Sequence, residues 1–165
     1  MKHKLIPIAI VLMSFASVAY ASFATTLTIN GTGTATGNWD VQIISITPTA
    51  QTGATDHVST PSFTATTATF NVDLAYPGAT SSYNVVIKNQ GNITAKLSTM
   101  TDLTSLNAAA PTYLTYAISG MTLNSTLAPN ATVTATVTVT WASSATTNPS
   151  GASKAATINF NYIQN

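Results

Sequence analysis

The 165-residue sequence carries four Asp and five Lys, no Glu, Arg or Cys, and 45% apolar residues. So little charge beside so much Val, Ile, Leu, Phe and Tyr excludes the disordered class, and the lack of a basic cluster excludes a nucleic-acid binder. Without cysteine, stability must come from core packing, strand pairing or assembly with other subunits.

Residues 1–21 read as a cleaved signal peptide. Lys2 and Lys4 form a basic start, residues 5–16 are apolar, and Ala19-Tyr20-Ala21 is an A-x-A cleavage site. The apolar run falls short of the about 20 residues a membrane-spanning helix needs. The expected mature chain keeps Lys88, Lys96 and Lys154 against Asp40, Asp56, Asp73 and Asp102. Few charges mean little repulsion between copies, which permits self-association. The end of the sequence shows neither an apolar tail nor a basic stop, so no wall-sorting signal is read there. The expected location is extracellular, with no stable membrane insertion after cleavage.

Residues 22–30 form the first expected strand, with Phe23, Leu27 and Ile29 on one face. A Gly-rich stretch follows to residue 38, and Gly31, Gly33 and Gly37 make it a candidate hinge. A second strand covers 39–47, with Trp39, Val41 and Ile43 on one face and Ile44 and Ile46 on the other. Residues 48–61 read as a polar loop around His57, and 62–74 as two short strands meeting near Thr66 and Thr67. Tyr83, Val85 and Ile87, then Ile93, Ala95 and Leu97, alternate about an Asn89-Gln90-Gly91-Asn92 turn and predict a β-hairpin. Residues 102–106 fit one helical turn or a crossover. Residues 113–119 form a strand of undecided facing, 132–141 the purest strand, and Ala156, Ile158, Phe160 and Tyr162 line a closing strand.

Two lead-in turns echo each other: Leu74-Ala75-Tyr76-Pro77-Gly78-Ala79-Thr80 and Leu127-Ala128-Pro129-Asn130-Ala131-Thr132. Two strands reached through the same turn should hold corresponding places in the fold. Strand number and spacing predict an all-β protein, a jelly-roll or Ig-like β-sandwich of about seven to nine strands, over residues 39–165.

Chemistry has little material. His57 beside Asp56 lacks any orienting geometry, so no catalytic residue and no enzyme activity are expected. Asp56, Asp73 and Asp102 would have to converge to hold calcium, and no Asp-x-Asp motif supports it, so neither metal nor cofactor is expected. A Lys–Asn isopeptide bond would need a nearby acid. Asn30, Asn92, Asn124 and Asn130 match the N-x-[ST] pattern and are candidate glycosylation sites.

A strand at a new N-terminus, followed by a Gly-rich hinge, either folds back or inserts into a neighbour's sheet edge. Head-to-tail insertion does not close on itself and builds a filament. The stretches TLTINGTGTATGNW, PGATSSYNVVIKNQGNITAKL, LAPNATVTATVTVTW and ATINFNYIQ resemble secreted proteins of the TasA/camelysin type, whose signals are often handled by a SipW-type peptidase. Archaeal bundling pilins are similar in build. The resemblance implies a matrix or pilus filament of identical subunits joined by donor-strand complementation, with residues 22–30 as donor and a minor anchoring or initiating subunit as an added partner. This chain is more compact and less charged than such relatives, and it lacks the His-Glu-x-x-His motif that a protease label would require. The competing expectation is a monomeric adhesion or carbohydrate-binding module displaying Tyr76, Tyr83, Trp39 or Trp141.

Overall fold

The computed structural model describes residues 31–145 and 153–165. The expected donor residues Phe23, Leu27 and Ile29, and the Asn30 sequon, lie outside them. Thr36–Asn165 forms one compact unit, an all-β sandwich. Among the described residues there are eleven strands and one helix: β1 (Val41–Thr52), β2 (Ala54–Asp56), β3 (Ser62–Phe63), β4 (Ala68–Thr69), β5 (Val72–Leu74), β6 (Thr80–Asn89), β7 (Ala95–Met100), α1 (Leu103–Ala108), β8 (Leu114–Ser119), β9 (Thr126–Leu127), β10 (Thr132–Trp141) and β11 (Phe160–Gln164). One sheet runs β1-β6-β10-β8 and the facing sheet β11-β7-β9, all antiparallel, with β2-β5 and β3-β4 as two small ribbons.

The core follows from period-2 alternation on β6 and β10. Ser81, Tyr83, Val85, Ile87 and Asn89 point inward from β6, and Ala135, Val137, Val139 and Trp141 from β10. Ala95 of β7 and Leu127 of β9 pack against this row from the facing sheet, and Leu97 of β7 is also buried. The outer faces of β6 and β10 carry hydroxyls instead. Ser82 Oγ and Thr138 Oγ1 lie 2.8 Å apart, and Thr136 Oγ1 donates to Asn84 Oδ1 at 2.8 Å.

The two echoing turns play one role twice. Ala79 N donates to Tyr76 O (2.9 Å), and Ala131 N to Ala128 O (3.0 Å). Gly78 and Asn130 hold the same place with φ of 95° and 63°, a region glycine and asparagine tolerate. Each turn then clasps the far end of the other strand. Gly78 N donates to Trp141 O (2.8 Å) and Trp141 N to Ala79 O (2.9 Å). In the same way Asn130 N donates to Asn89 O (2.8 Å) and Asn89 N to Ala131 O (3.1 Å). β6 and β10 are thus a pair related by a local two-fold, closed at both ends.

Three expectations are corrected. Residues 83–97 do not form a hairpin: β6 pairs with β1 and β10, and β7 pairs with β11 and β9. The chain arches from one sheet to the other because Asn89 is inward and buried. Its Nδ2 donates to Ile93 O (2.8 Å) and Leu127 O (2.9 Å), and its Oδ1 accepts from Gly91 N (3.0 Å). Secondly, β1 continues through Pro48 to Thr52, where a polar loop was expected. The register shifts between Pro48 and Ala50, and an irregularity on an edge strand is where proline fits a sheet. Another shift between Ile43 and Ser45 puts Val41, Ile43 and Ile46 all against the core, although simple alternation separates them. Thirdly, the closing strand starts at Phe160, so Ala156 and Ile158 belong to no sheet.

The helical turn is present, with Asp102 as N-cap. Asp102 Oδ1 accepts from Thr104 N (2.9 Å) and Thr104 Oγ1 (2.6 Å), and these bonds hold its carboxyl below the usual range. In 113–119, Leu114, Tyr116 and Ile118 take the inner parity.

Asn89→Ala removes both amide donors and the acceptor at the arch, leaving buried backbone groups of Ile93, Leu127 and Gly91 unpaired. The expected loss is about 3 kcal/mol of unfolding free energy by urea titration, from the cost of unmet buried polar groups. A loss within error of zero would mean that water replaces the side chain.

Candidate functional site: an open groove between the sheets

The inner faces do not close on each other along their whole length. A cleft of about 1580 Å³ separates β6 and β10 from the segment 153–160. Val85, Ile87, Val137 and Val139 line one wall, and Ala156 and Ile158 the other. At its floor Phe70 stacks on Tyr83, ring centroids 4.4 Å apart and planes 20° from parallel.

The segment 153–159 is the unusual wall. Inward Lys154, Ala156 and Ile158 are half-buried, while Ser153, Ala155, Thr157 and Asn159 are exposed, the alternation of a strand. Yet only Asn159 is laddered, its O accepting from Thr101 N (3.1 Å) and its N donating to Thr101 Oγ1 (2.8 Å). The backbone N–H groups of Ala155, Ala156, Thr157 and Ile158 have no partner among the described residues. Alternating in exposure, apolar on its inner side and with these N–H groups unpaired among the described residues, this stretch presents a strand-like edge outside any sheet.

Lys154 fixes the start of that edge. Its Nζ donates to four backbone oxygens, Ala109 (2.8 Å), Leu114 (2.9 Å), Asn107 (3.2 Å) and Pro111 (3.2 Å). Burial pulls its pKa below the ordinary lysine value, and the carbonyl dipoles serve the ammonium in place of a carboxylate. Tyr116 Oη donates to Lys154 O, and the Asn107 amide pairs both ways with the Tyr116 backbone (2.9 and 2.8 Å). No acid joins Lys154 and Asn107 among the described residues, so the acid an isopeptide bond needs is missing there. Nothing in the sequence pattern singled out this carbonyl cage, because its acceptors are backbone atoms.

Trp141 ends β10 at the same end of the groove. It is 7% exposed, lies 5.8 Å from the Tyr113 ring between centroids, and its Nε1 has no hydrogen-bond partner among the described residues.

The remaining candidates fall elsewhere. His57 Nε2 pairs with Asp73 Oδ1 at 2.8 Å, and Asp56 instead accepts from the Tyr83 hydroxyl. Asp102 caps α1 far along the chain, and among the described residues no three acidic or histidine side chains gather as a metal site. Tyr83 and Trp141 are buried. Trp39 precedes one end of β1 and Tyr76 lies against Gly53 just past the other, about 40 Å of strand apart, so the four aromatics make no platform.

Gly31 and Gly33 stand in open space, but Gly37 touches Ile93. Thr36–Asp40 is tied to the arch: Asn38 N donates to Asn92 Oδ1 (2.7 Å), Asn92 Nδ2 to Thr36 O (3.1 Å) and Gln90 N to Asp40 O (2.7 Å). A Cβ on Gly91 would come within 2.3 Å of Asn38 O. Gly37, one of the three expected hinge glycines, therefore sits in a stretch bonded to the arch. Asn92 already uses its amide, whereas Asn124 and Asn130 are exposed on turns with φ of 66° and 63°.

Comparison with protein-family models, curated proteins and solved structures finds no match to this chain.

Burial, then the bond to Asp56, pushes the Tyr83 pKa from 10.0 up to about 12. The unfolded chain sheds that proton first, so the stability it contributes is whole below pH 10 and is lost as pH rises towards 12. Tyr83→Phe should flatten the fall in thermal midpoint over that window; an equally steep fall would assign it to Tyr116 and Tyr162, which burial also raises. Lys154→Met should release the strand-like edge, giving several-fold faster proteinase K cleavage within 153–159 by mass spectrometry. Equal cleavage rates would show that the apolar contacts alone hold it.

Proposed function

We propose that the chain is a structural subunit of an extracellular filament, a pilus or biofilm matrix fibre, assembled by strand donation between identical subunits. The observation that carries this reading is the groove: a cleft with apolar walls bordered by a strand-like segment whose N–H groups at residues 155–158 have no partner among the described residues. An inserted strand would supply those hydrogen bonds and fill the apolar wall in the same step. Residues 22–30 have the composition for it, with Phe23, Leu27 and Ile29 at alternating or near-alternating positions. The Gly31 and Gly33 stretch is the proposed hinge through which they would reach a neighbouring subunit, and Thr36–Asp40 is anchored at the arch. The resemblance to TasA/camelysin-type proteins and the signal-like start support secretion and the same mode of assembly.

The mature protein should form uniform fibres by electron microscopy, and a form lacking residues 22–30 should stay monomeric at equal concentration. If both remain monomers, the first strand serves its own sandwich and the filament reading fails. If both form fibres, another surface joins the subunits.

A further inference from the structure

The two facing sheets leave four edge strands: β1 and β8 on one, β9 and β11 on the other. Three of them carry features that discourage an added strand. On β8 side chains already occupy the places a neighbouring strand would take. Asn107 Oδ1 accepts from Tyr116 N (2.8 Å) and Asn107 Nδ2 donates to Tyr116 O (2.9 Å). One step along, Lys154 Nζ donates to Leu114 O (2.9 Å), and Leu114 N donates to Pro111 O (3.3 Å). β1 is interrupted by two register shifts and by Pro48, which has no N–H, and its Ile43 N already donates to Ala65 O (2.7 Å). β9 is two residues long. β11 differs from all three. Among the described residues no strand lies on its side away from β7, and the unpaired N–H groups of residues 155–158 lead directly into it.

We propose that residues 22–30 of a second copy pair with β11 and the segment 155–159 before it, as a fourth strand of the β11-β7-β9 sheet. This rests on the strand-donation reading and names the edge that receives the strand. Facing supports the choice. A strand beside β11 has the cleft on one side and water on the other, as Ala156, Ile158 and Phe160 are half-buried while Thr157, Asn159 and Asn161 are exposed. The donor divides in the same way: Phe23, Leu27 and Ile29 share one parity, and Thr26, Thr28 and Asn30 the other. Its single apolar row would face Val85, Ile87, Val137 and Val139 across the cleft. A strand slotted between the two layers would have to bury Thr26 and Thr28 as well. The backbone ladder along β11 would hold the strand, and the apolar row would select it.

The sequence has no cysteine, so single-Cys variants report one position each. Full mature Thr26→Cys is mixed with full mature protein carrying one edge substitution: Asn161→Cys on β11, Ala117→Cys on β8 or Thr47→Cys on β1, all at exposed positions. Fibres of each mixture are treated with a short bis-maleimide, and linked pairs are read on denaturing gels and by mass spectrometry. Any link between the two variants joins two copies. Positions 26 and 161 should link, and the pairs 26–117 and 26–47 should not. A second variant, Ile163→Lys, puts a charge on the β11 edge at a residue 47% exposed. It should need several-fold more protein to form fibres while its monomer melts as the wild type does; Ala117→Lys should assemble normally. Fibres in which position 26 links to 117 or 47, or to none of the three, would overturn the β11 assignment, as would normal assembly of Ile163→Lys. Strand donation would still stand if removing residues 22–30 abolishes the fibres. Failure of the mature protein to form fibres at all would overturn both.

Discussion

The reciprocal clasp between β6 and β10 is the constraint on which the rest of the sandwich hangs. Each strand's lead-in turn donates to and accepts from the last residue of the other, so neither strand can shift without breaking four backbone bonds at once. That lock fixes the parity of both strands, and parity decides which side chains form the core. β1 and β8 are added outside the pair, and the facing sheet packs on the apolar row it presents. An irregular edge is then tolerable, and β1 shows it with two register shifts.

The lock is symmetric, but what lies beyond it is not. At the Asn89 end the chain itself crosses to the facing sheet, and the amide side chain stitches the crossing closed. Towards the Trp141 end the facing layer thins to an extended segment outside any sheet, held by Lys154 through carbonyls of the α1–β8 connection. Among the described residues the two ends of the sandwich are therefore covered differently. The groove lies at that second end: Val85, Ile87, Val137 and Val139 give it an apolar wall, and among the described residues the segment opposite is outside any sheet.

Much of the sandwich was legible because alternation reports facing directly. The rows on β6 and β10, the small β3-β4 ribbon and the twin lead-in turns follow from residue spacing, and a helical turn was one of two readings of residues 102–106. Alternation does not report partners. The stretch around Asn89-Gln90-Gly91-Asn92 looks like a hairpin turn because polar residues join two alternating runs. The available sign was parity, for Asn89 falls on the inward row after Tyr83, Val85 and Ile87, and a buried amide needs acceptors that a simple hairpin turn would leave outside. The bulge at Ile44 likewise hides in a sequence that reads as strict alternation. The groove could not be read, since Ala156 and Ile158 look like strand residues whether or not another strand lies beside them. The anchor missed was Lys154, whose acceptors are all backbone atoms.

The outer face of the central pair is built from threonine and serine hydroxyls joined across strands, as between Ser82 and Thr138. Such bonds carry no net charge, so dissolved salt has almost nothing there to screen. The same holds for the core contacts and the turn clasp. A surface of this kind keeps its cohesion unchanged between dilute water and brine, and it offers neighbouring copies neither attraction nor repulsion at long range. For the extracellular role proposed above, where ionic strength varies more than in the cytoplasm, such a sandwich has little that could respond to it.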